Sequence, residues 1–264
     1  MAQRIALGLE YDGRAFRGWQ TQPDGNTVQD HLERALAEIH GDPVRTTTAG
    51  RTDAGVHASA QVAHFDAIHA RPEQAWVRGV NAHLPASVSV LWARAVPENF
   101  HARFSARERL YRYFLLNRPV RPALLAGRVG WMHGHLDETA MNRAAAYLLG
   151  THDFSAFRAA ECQARTPIRD LREAVVTRDG EMLTFQFRAN AFLHHQVRNM
   201  VGGLIRVGLG RSSPEWLAEV LEGRDRSRAA ATFAPDGLYL AGVRYDPCFD
   251  LPTPLVSPLS LLAP

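Results

Sequence analysis

From Arg4 to Tyr11 hydrophobic and polar positions alternate, putting Ile5, Leu7, Leu9 and Tyr11 on one face, as a half-buried strand requires. The period then changes. Thr27, with Asp30 three residues on, forms a capping-box pattern, and Val28, Leu32, Ala35, Leu36 and Ile39 follow at helical spacing until Gly41. Thr46-Thr47-Thr48 and Gln61-Val62-Ala63-His64-Phe65 are predicted strands on either side of a loop. Pro72 opens a predicted second helix that turns Trp76 and Val80 inward and runs to His83, and Ser87 to Val96 is a further strand.

The second half repeats that order. Leu110 to Asn117 is a predicted strand carrying Tyr111, Tyr113 and Phe114. Asp137 caps a predicted helix with Met141, Ala145, Leu148 and Leu149 inward, ended by Gly150. Ile168 to Thr177 and Met182 to Arg188 are predicted strands joined across Asp179-Gly180, a hairpin signal. Leu193, Val197, Met200, Val201, Leu204 and Ile205 mark a long helix, Pro214 to Leu221 a shorter one, and Leu238 to Tyr245 a last strand.

Both halves therefore spell β-α-β-β-α-β, the ferredoxin-like order. The expected fold is α+β: two ferredoxin-like subdomains whose strands form a continuous, mainly antiparallel sheet, with helices on one side and a central cleft. The expected boundaries are 1–104 and 105–246, with 99–107 as the crossover and a Pro-rich, irregular tail at 247–264.

Composition narrows the class. The chain has 264 residues, 46% of them hydrophobic, enough for a sizeable core. It shows no membrane-length apolar run and no signal-peptide pattern. Two distant cysteines, Cys162 and Cys248, offer neither a disulfide framework nor metal spacing, so a reducing cytoplasm is expected. The net charge is +3, and all 30 Lys/Arg positions are arginine, a side chain shaped to grip phosphate and stack on bases, although the Arg-favouring codons of a GC-rich genome are the larger cause of that bias. The adjacent histidine pairs His133/His135 and His194/His195 lack carboxylate or cysteine partners at recognised spacing, and no metal site is expected.

One loop stands out chemically. Gly50-Arg51-Thr52-Asp53-Ala54-Gly55-Val56-His57 holds a single carboxylate between two glycines, on a turn between two strands. With Tyr11-Asp12-Gly13, Gly18-Trp19-Gln20, the 99–106 string Asn-Phe-His-Ala-Arg-Phe-Ser-Ala, Tyr111-Arg112-Tyr113, the run from Phe192 to Gly202 and the 235–240 string Pro-Asp-Gly-Leu-Tyr-Leu, this loop resembles the signature of the TruA family of tRNA pseudouridine synthases, in order and over nearly the whole chain.

The resemblance implies a set of roles. Asp53 would be the nucleophile and Arg198 its ion-pair partner. Tyr111 would stack on the target uracil and take its C5 proton, and Leu240 would pack beneath that base. Arg51 would fill the space left by the flipped nucleotide. It further implies isomerisation of uridine to pseudouridine at positions 38, 39 and 40 of the tRNA anticodon stem-loop, by a homodimer, without cofactor, metal or membrane. The rival reading is a non-catalytic RNA-binding protein on the same sheet scaffold, which would have no need of the Asp53 carboxylate.

Overall fold

A computed structural model of the chain describes residues 3–252. They form two compact units, residues 3–107 with 239–252 and residues 108–238. The fold class is α+β, with mostly antiparallel strand pairing.

In the first unit the order is β1 (Gln3–Tyr11), α1 (Val28–His40), β2 (Thr47–Thr48), β3 (His57–Ala67), α2 (Glu73–His83) and β4 (Val88–Ala95). Thr27 caps α1 by accepting the Asp30 N–H, and Gly41 closes it at φ 94°, a left-handed angle that suits glycine. β1 lies between β4 and β3, antiparallel to both, with Ile5 opposite Phe65 and Ala95. β2 pairs antiparallel to β3 on the Asp53 side, Thr47 facing His64.

The two faces of this sheet are covered differently. Phe65 meets Trp76 of α2 edge-on at 5.1 Å, so the helices bury the face that carries Ile5 and Phe65. A β-carbon on Gly79 would come within 2.9 Å of Ile39, so this glycine lets α1 and α2 approach closely. Asn81 of α2 exchanges two 2.8 Å hydrogen bonds with the backbone of Val90, occupying groups that the outer strand β4 would otherwise expose. On the opposite face Ala6, Ala49 and Val62 pack with Phe100, Ala102, Tyr245, Phe249 and Leu251.

The start of the expected irregular tail is therefore ordered. Pro247–Phe249 form a short 3-10 turn capped by Asp246, and Phe249 meets Phe100 at 5.1 Å. The pattern at Pro247 shows the proline breaks but not the distant ring that holds them. The rest of the tail, 253–264, lies outside the described residues.

The second unit runs β5 (Glu108–Asn117), β6 (Gly130–Met132), α3 (Glu138–Ala146), β7 (Gly150–Asp153), β8 (Ile168–Asp179), β9 (Met182–Ala189), α4 (Gln196–Gly208) and α5 (Glu215–Gly223). β9 lies between β5 and β8, antiparallel to both. The β8–β9 turn places Gly180 at φ 54°. The short strands β6 and β7, paired with β5 and β8, leave no mark in the hydrophobic pattern, because three or four residues carry no readable period. Leu149, expected inside, is 42% exposed, because α3 ends at Ala146 and the chain turns before Gly150 starts β7 at φ 102°.

The final strand, β10 (Leu238–Arg244), returns to the first unit, where Tyr239 and Leu240 pair in parallel with His57 and Ala58. Among the described residues no helix is long and apolar enough to cross a membrane.

Candidate active site

The loop between β2 and β3 carries Asp53, and its neighbours fix its path. Trp19 N–H donates to the Thr52 carbonyl at 3.0 Å, and Val56 N–H closes the turn onto the Asp53 carbonyl at 3.1 Å. Gly55 adopts φ 78°, using the freedom that glycine permits, whereas Gly50 stays out of the left-handed region. Gly50 contributes instead a carbonyl that accepts from Gln61 Nε2 at 2.7 Å.

Thr52 is anchored from below. Its hydroxyl and that of Tyr11 share a buried hydrogen bond of 2.8 Å, and Gln61 Nε2 also reaches the Tyr11 oxygen at 3.3 Å. Burial pushes the Tyr11 phenol up to about 12 despite these bonds, so it stays protonated and able to donate at neutral pH. Gly18, at φ 85°, leaves room for the loop backbone, because a β-carbon there would lie 2.5 Å from the Thr52 carbonyl oxygen.

The far end of the loop is held as firmly. Gly13 N–H donates to His57 Nδ1 at 3.1 Å, and a β-carbon on Gly13 would meet the Val56 carbonyl. The buried His57 ring stacks on Tyr239 at 4.5 Å with planes 16° apart. Asp12 lies beside His57 and is gripped by Arg14. Partial burial opposes its ionisation, but the Arg14 hydrogen bonds outweigh that and hold its carboxyl below the ordinary value. The strings Tyr11-Asp12-Gly13 and Gly18-Trp19 are thus the clasp of the Asp53 loop.

The predicted site residues fall as follows. Asp53 is half-buried and Arg51 exposed on this loop, and Leu240 is fully buried beside Ala58 in the same unit. Tyr111 and Arg198 belong to the second unit. Tyr111 lies on β5 opposite Phe187, 8% exposed, with the edge of Phe192 against its ring at 5.1 Å.

Arg198 lies in the first turn of α4. Its Nε donates to the Phe233 carbonyl at 2.8 Å, while Phe233 N–H returns to the Arg198 carbonyl at 3.3 Å. The helix begins later than its apolar spacing implies, because His195 turns the chain through φ 61° just before Gln196. One turn inside α4, Asn199 joins three segments. It donates to the Phe157 carbonyl at 2.8 Å and accepts from Arg226 at 3.1 Å and from the Thr232 hydroxyl at 2.6 Å.

Comparison with known proteins is unequivocal. The family model for tRNA pseudouridine synthase matches residues 9–105 and 144–246. The chain is 60% identical over 249 residues to tRNA pseudouridine synthase A of Thiobacillus denitrificans, covering 94% of this chain and 96% of that one. To the proteins of the same name from Aromatoleum aromaticum and Dechloromonas aromatica it is 61% and 58% identical, over 94% and 95% of its length and 94% and 96% of theirs. The chain belongs to the tRNA pseudouridine synthase family.

Members of this family are isomerases that convert uridine to pseudouridine in tRNA, and a pseudouridine synthase must hold its reacting groups still while a base is detached. Tyr11 and Gln61 fix the Asp53 loop and Asn199 fixes the start of α4, yet none was a candidate from the sequence. Tyr11 read as one more apolar position of an alternating strand. Gln61 read as the start of another strand. The available signal was the place of Tyr11 and Asn199 in the motif strings Tyr11-Asp12-Gly13 and Phe192 to Gly202; Gln61 lies in none of those strings.

Proposed function

We propose that this chain forms pseudouridine at positions 38, 39 and 40 of the tRNA anticodon stem-loop, with Asp53 as nucleophile. The observation that carries the proposal is the Gly50–His57 loop, whose single carboxylate sits on a backbone clasped by Tyr11, Gln61, Gly13 and Gly18. Such a fixed turn suits a residue that must meet one atom of a bound substrate.

A uridine stacked in a stem must leave the helix to be reached. Its site would be filled by Arg51, and the extruded base would lie against Tyr111 with Leu240 beneath it. The Asp53 carboxylate then attacks ribose C1′ or adds at uracil C6. The C1′–N1 bond breaks, the uracil rotates and C5 bonds to C1′; the Asp53 oxygen leaves C1′ as that bond forms, or leaves C6 after it, which regenerates the carboxylate, while the C5 proton leaves and N1 gains one. Atoms and oxidation state balance, so the reaction needs neither oxidant nor reductant. Arg198 would orient the Asp53 carboxylate and keep it ionised, and the Tyr111 hydroxyl would accept the C5 proton.

The working form would be a cytoplasmic homodimer across which one tRNA lies. Arginine supplies every cationic side chain at neutral pH apart from any protonated histidine, in keeping with a phosphate-rich partner. The test is incubation of the purified protein with unmodified tRNA, followed by mapping of pseudouridine position by position. Product confined to 38–40 is expected. Binding without product would favour the non-catalytic RNA-binding reading, and product elsewhere would refute the assigned positions.

A further inference from the structure

The segment from Asn99 to Arg107 is a built feature that the reaction above does not use. Phe100 and Ala102 are fully buried in the same cluster as Ala49, the residue that leads into the Asp53 loop. The Tyr245 hydroxyl donates to the Ala102 carbonyl at 2.6 Å. His101 Nδ1 accepts the N–H groups of Arg103 and Phe104, both at 3.2 Å. His101 N–H reaches Ser105 Oγ at 2.9 Å, and Ser105 N–H returns to the His101 carbonyl at 2.8 Å. The backbone of this turn is therefore fixed on both sides.

What the turn presents is Phe104, 75% exposed. The His101 ring lies 4.3 Å from it at 31°, and the Arg103 guanidinium sits 5.5 Å from its centroid. A single exposed apolar side chain needs no explanation. An exposed ring on an ordered turn, with an imidazole and a guanidinium beside it, is a different object. No acidic residue lies between Asn99 and Arg107, and both Arg103 and Arg107 are exposed, although Arg107 is paired with Asp246 at 3.7 Å, so the charge free to meet a phosphate is chiefly that of Arg103.

We propose that Phe104, backed by His101 and Arg103, is a stacking platform for an unpaired nucleobase of the RNA substrate, separate from the base being isomerised. The inference rests on the proposed function and names one further contact for that substrate. Stacking on an aromatic ring needs no sequence match and gains from a neighbouring cation. Phosphates flanking the stacked base would meet the positive charge of the turn. A protein contact would draw on the same residue types; the Leu variant and the sedimentation measurement below separate the two. The turn's buried residues, Phe100 and Ala102, share one core cluster with Ala49, which leads into the loop that carries Asp53.

The test compares the parent with Phe104→Ala, Phe104→Leu and Phe104→Trp in steady-state pseudouridine formation on tRNA, with melting and sedimentation on each sample. Parent turnover checks the proposed function separately, since an inactive parent would refute that reading whatever the variants do. With an active parent, KM should rise roughly tenfold in both Ala and Leu variants, a step typical of one lost base stack, with kcat and melting unchanged. Trp should restore the parent KM. Parent-like KM in Phe104→Ala would overturn the platform. A raised KM that Leu corrects, or a smaller sedimenting species in Phe104→Ala, would instead make Phe104 an apolar protein contact.

Discussion

The hydroxyls of Tyr11 and Thr52 share a buried hydrogen bond of 2.8 Å, formed one residue before Asp53. Gln61 ties the same phenol to the Gly50 carbonyl through its amide. The backbone on the N-terminal side of Asp53 is thereby suspended from the interior of the first unit rather than left to solvent.

Tyr11→Phe keeps the ring and removes the bond. Leaving buried Thr52 and Gln61 short of a partner should cost about 1–2 kcal/mol of stability. The larger effect should be on kcat, with the KM for tRNA little changed, because the phenol touches the loop and not the RNA. Melting curves and initial rates on one preparation check this, and an unaltered kcat would show that the clasp does not position Asp53.

Gly18→Ala should do more damage through the same loop. The new β-carbon would sit 2.5 Å from the Thr52 carbonyl oxygen, on backbone at φ 85°. Strain and overlap together should cost about 2 kcal/mol or more. Thermal unfolding should register that loss, together with a lower kcat at temperatures where the variant is still folded. Parent-like melting would mean that the loop can give way.

Acid should weaken the first unit through His64. Burial first, then Arg4 and His101, depress its imidazole to about 4, against smaller opposing effects from Asp66 and a backbone bond at Thr47. Its Nδ1 accepts the Ala102 N–H at 3.2 Å, which a proton on that nitrogen would expel. A folded-state value below the unfolded one near 6.5 means that this stability is complete above about pH 6.5 and is lost as pH falls toward 4. Denaturant titrations across that range should show stability falling with pH. In His64→Asn, whose side-chain oxygen can accept the same N–H, the fall should be shallower. An equal slope would place the acid sensitivity elsewhere.

How much of this was legible depends on distance along the chain. The Thr27 cap, the Gly41 stop and the turn at Gly180 are local devices, and the structure reproduces them. The Asp53 loop was legible as a string. Its clasp was not, because the partners of Thr52 and Gly50 lie 41 and 11 residues away, and no period links them. β10 was legible as the last strand, but its partner was not: Tyr239 and Leu240 pair with His57 and Ala58 of β3, far earlier in the chain, and no period encodes that pairing. His195 at φ 61° delays α4 beyond its apolar spacing, a backbone choice that hydrophobic pattern does not encode.

Tyr111→Phe separates the two roles proposed for this side chain. The ring remains 8% exposed against Phe192 and can still stack, while the hydroxyl is lost. tRNA affinity should be retained and product formation should slow by roughly a hundredfold or more, the usual scale for a missing general base. Equal turnover in the variant and the parent would leave Tyr111 as a platform only.

The central claim concerns Asp53, and tritium release from tRNA labelled at uridine C5 tests it most directly. Asp53→Asn retains size and turn preference while removing the anionic oxygen. Melting and tRNA binding, measured on the same sample, should match the parent. Tritium release should fall by several orders of magnitude, as expected when a covalent catalyst is removed. Substantial release by folded, tRNA-binding Asp53→Asn protein would contradict the assignment of Asp53 as the nucleophile.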